Sequence, residues 1–296
     1  PASAFLSRLG QPVVEHSRYL LDFRSPEARA HLDATFDRLI AMGVGFFKLD
    51  YNITPGLGAD SGRLLPGTGL QAHVDAYLDW LDALRERHPG VMIENCSSGA
   101  MRQDWAQVSR FDLQSTSDQQ DLLLYPPIAA GAPMVLLPEQ AGNWAYAQPE
   151  MTQEEIAFVH VTGLAGRPYF SGHLDRMSEM QLALVREAAD TWKSLRDDLV
   201  EAVPFWPTGL PSWSDDTVSL GSLCLGGEAY LAVWNRSEDS RTITLDLPSG
   251  LDAGAVHQVY PANLSGWEAV PSENGRTVRV TAPSGPSARL FRIDPR

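Results

Sequence analysis

The sequence predicts an α/β protein: a parallel sheet flanked by helices, followed by an antiparallel β domain. Two observations carry this. Up to about residue 200, short apolar runs alternate with amphipathic helical stretches, the layout of repeated βα units. Beyond Pro204 the helix signals vanish, and short alternating runs separated by Gly, Pro, Ser and Asn take their place.

Ser25-Pro26-Glu27 supplies an N-cap, a proline at the first helical position and an acid in the first turn. That helix is expected to reach Met42, with Leu32, Phe36, Leu39 and Ile40 on one face, and Gly43 stops it. Residues 45–50 read as a buried strand. A helix over 70–88 turns Val74, Tyr77, Leu78, Leu81 and Leu84 inward and ends at Pro89-Gly90. Residues 91–96 and 111–116 read as strands, 121–130 as a short helix and 134–137 as a further buried strand. Thr152 with Glu155 and Ser178 with Gln181 form capping boxes for helices ending near 165 and 199, with a strand over 167–170 between them.

These make five strands, where a closed (β/α)8 barrel needs eight. An open sheet and a barrel whose other strands precede Pro1 both fit. Runs at 217–225, 228–234, 242–247, 256–260, 277–281 and 288–293 predict an antiparallel sandwich. The expected domains are 1–200 and 204–296.

Composition narrows the function classes. A net charge of −14 over 296 residues argues against binding a phosphate backbone and permits a neutral ligand such as a sugar. No apolar run is long enough to span a membrane as a helix, and no stretch has signal-peptide layout. Cys96 and Cys224 form no CxxC pair, so neither a zinc site nor a disulfide framework is signalled, and the cytoplasm is mildly favoured. The motifs of zinc peptidases, nucleotide-binding loops and serine hydrolases are missing. The expectation is no metal, no cofactor, no nucleic-acid partner and no membrane; association into a homo-oligomer is left open.

In a βα barrel, chemistry stands at the C-terminal ends of strands. Period-two alternation puts Lys48, Asp50 and Asn52 on one face and Leu49 and Tyr51 on the other. A cation, a carboxylate and an amide on one face of a strand mean either a site, with the lysine keeping Asp50 ionised, or a structural ion pair. Lys48 is one of only two lysines among 23 basic residues, which tips the balance toward a site. Residues 94–104 form a small, polar loop past the next strand, which suits close backbone approach to a ligand or a polar turn capping a helix. In the loop 115–121, Asp118 is the candidate for chemistry, and Ser117 or Asp121 for capping. Two carboxylates on one barrel rim suit glycosidic cleavage: one attacks the anomeric carbon, the other protonates the leaving oxygen. Trp144 and Tyr146 could stack on a sugar while Asn143 or Gln140 bonds its hydroxyls, and Glu139 is the rival acid. His160 reads as a packed helix residue, and His173 as a rim neighbour of the substrate.

In order and spacing, residues 17–30, Lys48-Leu49-Asp50-Tyr51-Asn52, residues 94–104 and Thr116-Ser117-Asp118 resemble glycoside hydrolase family 36 of the melibiase clan, over about residues 12–200. The resemblance implies a partial (β/α)8 TIM barrel, about strands 4–8, with three strands and an N-terminal β-sandwich ahead of Pro1. It implies a retaining α-galactosidase with Asp50 as nucleophile and Asp118 as acid/base. Raffinose-type transglycosidases and α-N-acetylgalactosaminidases belong to the same family, and a catalytically silent sugar-binding module is the alternative from another class. Lys48 and Asn52 would hold galactose hydroxyls, Cys96 and the backbone near Ser98 would border C6 and C2, and Arg102 and Asp104 would brace the loop. The partner would be an α-galactoside oligosaccharide or glycoconjugate. Two departures stand out. His16 occupies a position where the family usually has Arg, and Ser115 one where it often has Trp. The family's acid pair on its first strand is absent, so residues 1–296 alone are expected to be inactive.

Overall fold

The structure is a computed structural model describing residues 1–52 and 56–296. The chain divides into two compact units, Pro1–Gln114 and Ser115–Arg296.

The first unit opens with two short antiparallel ladders, β1 (Ser7–Arg8) with β2 (Gln11–Pro12) and β3 (Val14–Glu15) with β4 (Arg18–Tyr19). Helix α1 (Pro26–Ala41) begins at the expected proline and gives way to Gly43, whose φ of 97° few other residues adopt. Ser25 occupies the N-cap position, yet its hydroxyl donates to Glu27 Oε2 (2.7 Å) and makes no cap bond. β5 (Phe46–Asp50), α2 (Gly69–Arg87), β6 (Met92–Cys96), α3 (Trp105–Val108) and β7 (Leu113–Ser115) follow.

β5 and β7 each lie parallel to β6. The register sets Lys48 beside Glu94 and Asp50 beside Cys96. β5 alternates exposed and half-buried residues, so the expectation of a buried strand is corrected: among the described residues β5 ends its ladder, and one edge of it is open. The core of this unit is aromatic. Phe23, Phe36, Tyr77 and Trp80 interlock with Leu81, Leu84 and Ile93, and each fully buried large side chain contributes about 1.5–3 kcal/mol. The inward face of α2 is rotated from the expected one. His73, Tyr77, Trp80, Leu81 and Leu84 are buried, while Val74 and Leu78 lie at its margin.

The second unit contains α4 (Tyr125–Gly131), β8 (Ala141–Tyr146), α5 (Gln153–Leu164), β9 (Arg167–Ser171) and α6 (Glu179–Leu199). β8 and β9 are parallel, which brings the parallel strands among the described residues to five. The strand expected at 134–137 is instead β8. Residues Ala132–Met134 make a 3₁₀ turn, and Met134 and Leu137 are exposed. The strand hides behind Gly142 and Asn143, poor strand formers by composition. Gly142 is there because a Cβ would lie 2.5 Å from the Tyr169 ring of β9. Both capping boxes form as the sequence predicts. Residues 156–164 of α5 are all buried, as suits a helix apolar on every side.

After α6 come β10 (Val203–Phe205), β11 (Thr217–Leu223), β12 (Ala229–Asn235), β13 (Arg241–Asp246), β14 (Ala253–Tyr260), β15 (Glu268–Pro271), β16 (Thr277–Ala282) and β17 (Ser287–Pro295). They build two antiparallel sheets, ordered β10–β11–β12–β17–β14 and β13–β16–β15. Leu231, Val233, Phe291 and Ile293 of the first share a core with Leu245, Val278 and Val280 of the second. The other face of the larger sheet, with Val218, Ala232, Trp234 and Leu290, packs on Phe158 and Val161 of α5 and Leu195 of α6. Arg289, wholly buried, locks this contact with a two-pronged bond to Glu154 (2.8 Å each).

His160 sits inside this core, its Nδ1 2.7 Å from the Ile156 carbonyl, as expected for a packed residue. Burial lowers its pKa from 6.5 to about 4, against the smaller opposing effect of that hydrogen bond. The unfolded chain therefore binds the proton more readily, and stability is lost as pH falls below about 6.5. Denaturant unfolding should show about 2 kcal/mol less stability at pH 5 than at pH 7.5 from this residue, and His160→Gln should flatten that part of the slope.

Candidate active site

In the first unit, the end of β5 and the loop after β6 are tied together at Tyr51. Its carbonyl accepts from Ser97 Oγ and from Arg102 Nε (3.2 Å), and the Arg102 guanidinium lies 3.5 Å from the centroid of the Tyr51 ring. Asn52 Oδ1 accepts from the Ser98 backbone amide at 2.5 Å. Ser98 itself has a positive φ of 44°, in the left-handed region. Buried Asn95 and Gln114 hold the loop from below: Asn95 Nδ2 donates to Gln114 Oε1 (2.7 Å) and the Arg102 carbonyl (3.3 Å), and Gln114 Nε2 donates to the Gly99 carbonyl (3.2 Å). Asp104 caps α3 by accepting from the Gln107 amide (2.8 Å). Asn52, Ser98, Arg102 and Asp104 thus belong to one braced loop assembly.

Lys48 Nζ lies 3.0 Å from Glu94 Oε1, and the Glu94 side chain is only 3% exposed. The sequence pairs Lys48 with Asp50 and leaves Glu94 within the polar loop, without a role of its own. Its signal was present, because Lys48 and Glu94 hold the same place relative to the ends of adjacent strands. A buried carboxylate needs a cation beside it, which gives the retained lysine a structural task as well as a place on the Asp50 face. Cys96 stands beside Asp50 in register, its thiol pushed up chiefly by burial. Asp50 itself is exposed. Lys48, Asp50 and Asn52 border a groove of about 430 Å³, with Leu21, Phe36, Tyr77 and Trp80 along its wall, a size suited to a small organic ligand.

In the second unit, Asp118 is exposed in the loop after β7. Its neighbours make local turns: Ser117 Oγ accepts from the Gln119 amide (3.0 Å), and Asp121 Oδ1 from the Leu123 amide (2.8 Å). Thr116 is fixed by bonds to Tyr125 (2.9 Å) and Asn143 Oδ1 (2.7 Å). Trp144 lies on β8, where its Nε1 donates to Ser115 Oγ (3.0 Å) and its ring stacks on Tyr146 (5.5 Å, 11°). A serine at 115 therefore receives the Trp144 indole.

Asn143 is wholly buried, so the expectation that it bonds sugar hydroxyls is corrected; it serves Thr116 instead. Glu139 precedes β8, at the end of the strand opposite to where barrel chemistry stands, which removes it as rival acid. His173 is 55% exposed, 3.9 Å from Asp175. Among the described residues, no group of three or more His, Cys, Asp or Glu could hold a metal ion, and no helix is long and apolar enough to cross a membrane.

A family model described as melibiase matches residues 9–200. No curated protein sequence matches the chain. Among solved structures, a variant family 36 α-galactosidase AgaA of Geobacillus stearothermophilus in complex with raffinose superposes with a TM-score of 0.79 at 16% identity, covering 99% of this chain and 42% of that one. Another AgaA variant, in complex with stachyose, gives 0.73 at 15% identity, with 99% and 42% covered. The α-galactosidase of Lactobacillus brevis gives 0.72 at 15% identity, again covering 99% and 42%. The chain spans about 42% of these relatives' length, and its fold over nearly all of its own length is that of family 36 α-galactosidases.

The Lys48–Glu94 pair makes a testable claim. Lys48→Met should lower the unfolding free energy of residues 1–296 by roughly 3 kcal/mol, because Glu94 is left buried without a cation. The double variant Lys48→Met/Glu94→Leu should recover most of it, as read by denaturant titration.

Proposed function

We propose, from the premise that this chain belongs to the melibiase family, that it carries the catalytic acids of a retaining α-galactosidase. The observation that carries the reading is the Lys48-Leu49-Asp50-Tyr51-Asn52 strand end, with its exposed carboxylate beside a braced polar loop, inside the segment matched by the family model. The binding of raffinose and stachyose by relatives of the same fold supports α-galactoside oligosaccharides as the substrate class. On this reading residues 1–200 contribute barrel strands 4–8, and 204–296 form a β-sandwich domain.

The Asp50 carboxylate attacks the anomeric carbon while the Asp118 carboxylic acid protonates the departing glycosidic oxygen. The product is a galactosyl ester on Asp50. Asp118, now a carboxylate, takes a proton from water, which attacks the same carbon and frees Asp50. Two inversions leave the configuration retained, and the mechanism requires carboxyl groups about 5–5.5 Å apart. Lys48 and Asn52 hold sugar hydroxyls, Cys96 and the Ser98 backbone border C6 and C2, Arg102 and Asp104 keep the loop in place, and Trp144 offers an apolar face. The chemistry calls for no metal or organic cofactor.

The test is turnover of a nitrophenyl α-galactoside by the intact protein. Asp50→Ala should lower kcat at least ~10³-fold, and azide should restore product release by occupying the vacated space, giving galactosyl azide. Asp118→Ala should cost less on this activated substrate than on raffinose, whose leaving group needs the proton. An Asp50→Ala protein that keeps wild-type turnover would refute the assignment.

A further inference from the structure

His73 is a polar residue on the aromatic face of α2, only 2% exposed. Such a group is costly to bury unless its ring nitrogens are used. Both are. Nδ1 meets the Phe23 backbone amide at 3.3 Å, and Nε2 meets Tyr51 Oη at 3.4 Å. Asp22 Oδ1 lies 3.6 Å from Nδ1, within ion-pair reach, and its carboxylate is also bonded by Arg24 at 2.9 and 2.7 Å.

Tyr51 lies between Asp50 and Asn52 in sequence. Its carbonyl takes bonds from Ser97 and Arg102, its ring carries the Arg102 guanidinium, and its edge meets Tyr77 (6.3 Å, 76°). Among the described residues, His73 is the group on α2 that meets the Tyr51 hydroxyl, while Arg102 reaches the same hydroxyl from the loop side.

We propose that His73 is a positioning residue for the Asp50 strand end, acting through the Tyr51 hydroxyl on the Ser97–Arg102 loop. It does not touch substrate. It keeps the Tyr51 ring where the Arg102 guanidinium meets it, and so keeps the Asn52–Ser98 bond formed beside Asp50. A shift of about 1 Å at a reacting group can cost on the order of 10²-fold. The kinetic consequence rests on the α-galactosidase reading; the structural one does not.

Two measurements test this. In the intact protein, His73→Ala should lower kcat for a nitrophenyl α-galactoside by about 10- to 100-fold, with KM moving less than about 3-fold. Tyr51→Phe, which also gives up the Arg102 contact of the hydroxyl, should lose at least as much, and the double variant should lose little more than Tyr51→Phe, because His73 acts through that hydroxyl. His73→Gln, whose side-chain amide can bond the Tyr51 hydroxyl as donor or acceptor, should recover most of the activity. In residues 1–296, amide hydrogen exchange over 97–102 should quicken about 10-fold in Tyr51→Phe and His73→Ala and stay near wild type in His73→Gln, with exchange over 229–235 unchanged in all three.

Additive losses from His73→Ala and Tyr51→Phe, or no rescue by His73→Gln, would overturn the proposal. If His73→Ala does not fold, Tyr51→Phe and His73→Gln decide alone. A wild-type protein that leaves α-galactosides untouched would sink the functional reading, while the exchange result would still decide the role of His73. Unchanged exchange over 97–102 in Tyr51→Phe would end the proposal.

Discussion

The parallel register of β5 on β6 sets the geometry on which the candidate site depends. One residue of slip would exchange the two faces of β5, turning Lys48 and Asp50 toward the side now occupied by Leu49 and sending apolar groups to the site. Two devices hold the register. Lys48 meets the buried Glu94 carboxylate across the ladder, and just beyond the strands the Tyr51 carbonyl collects Ser97 and Arg102. The first penalises slip electrostatically, since a displaced Glu94 would lose its cation in a buried setting. The second ties the strand end directly to the loop.

This arrangement lets an exposed carboxylate stand on a rigid base. Asp50 is at a strand terminus with solvent access, yet its neighbours on both sides are bonded, and the aromatic core of Phe23, Phe36, Tyr77 and Trp80 supports the strand. In the second unit, Thr116, Tyr125, Asn143 and Trp144 perform the comparable task behind Asp118, with a shared hydroxyl network in place of an ion pair. Neutral hydrogen bonds carry less desolvation cost than buried charges.

Local rules of spacing and capping made much of this legible. The Lys48, Asp50 and Asn52 face follows from period two, and both capping boxes from residue identity three positions apart. What stayed hidden depended on partners far along the chain. Gly142 and Asn143 look like a loop until the Tyr169 ring and the Thr116 hydroxyl are seen to need them. Residues 134–137 look like a strand because they are apolar, although Met134 and Leu137 are exposed. Glu94 reads as the start of a polar loop until the register sets it beside Lys48, and a helical pattern that counts only apolar residues leaves out His73.

Asp50 is the carboxylate on which the covalent intermediate forms, and trapping that intermediate is the most direct test. A galactosyl donor carrying fluorine at C2 and a good leaving group slows breakdown of the ester, so the adduct can be located by peptide mass spectrometry of the intact protein. One galactosyl-type adduct is expected on the peptide that holds Asp50, and none in Asp50→Ala. An adduct on another carboxylate, or none while the protein still turns over α-galactosides, would contradict Asp50 as the nucleophile.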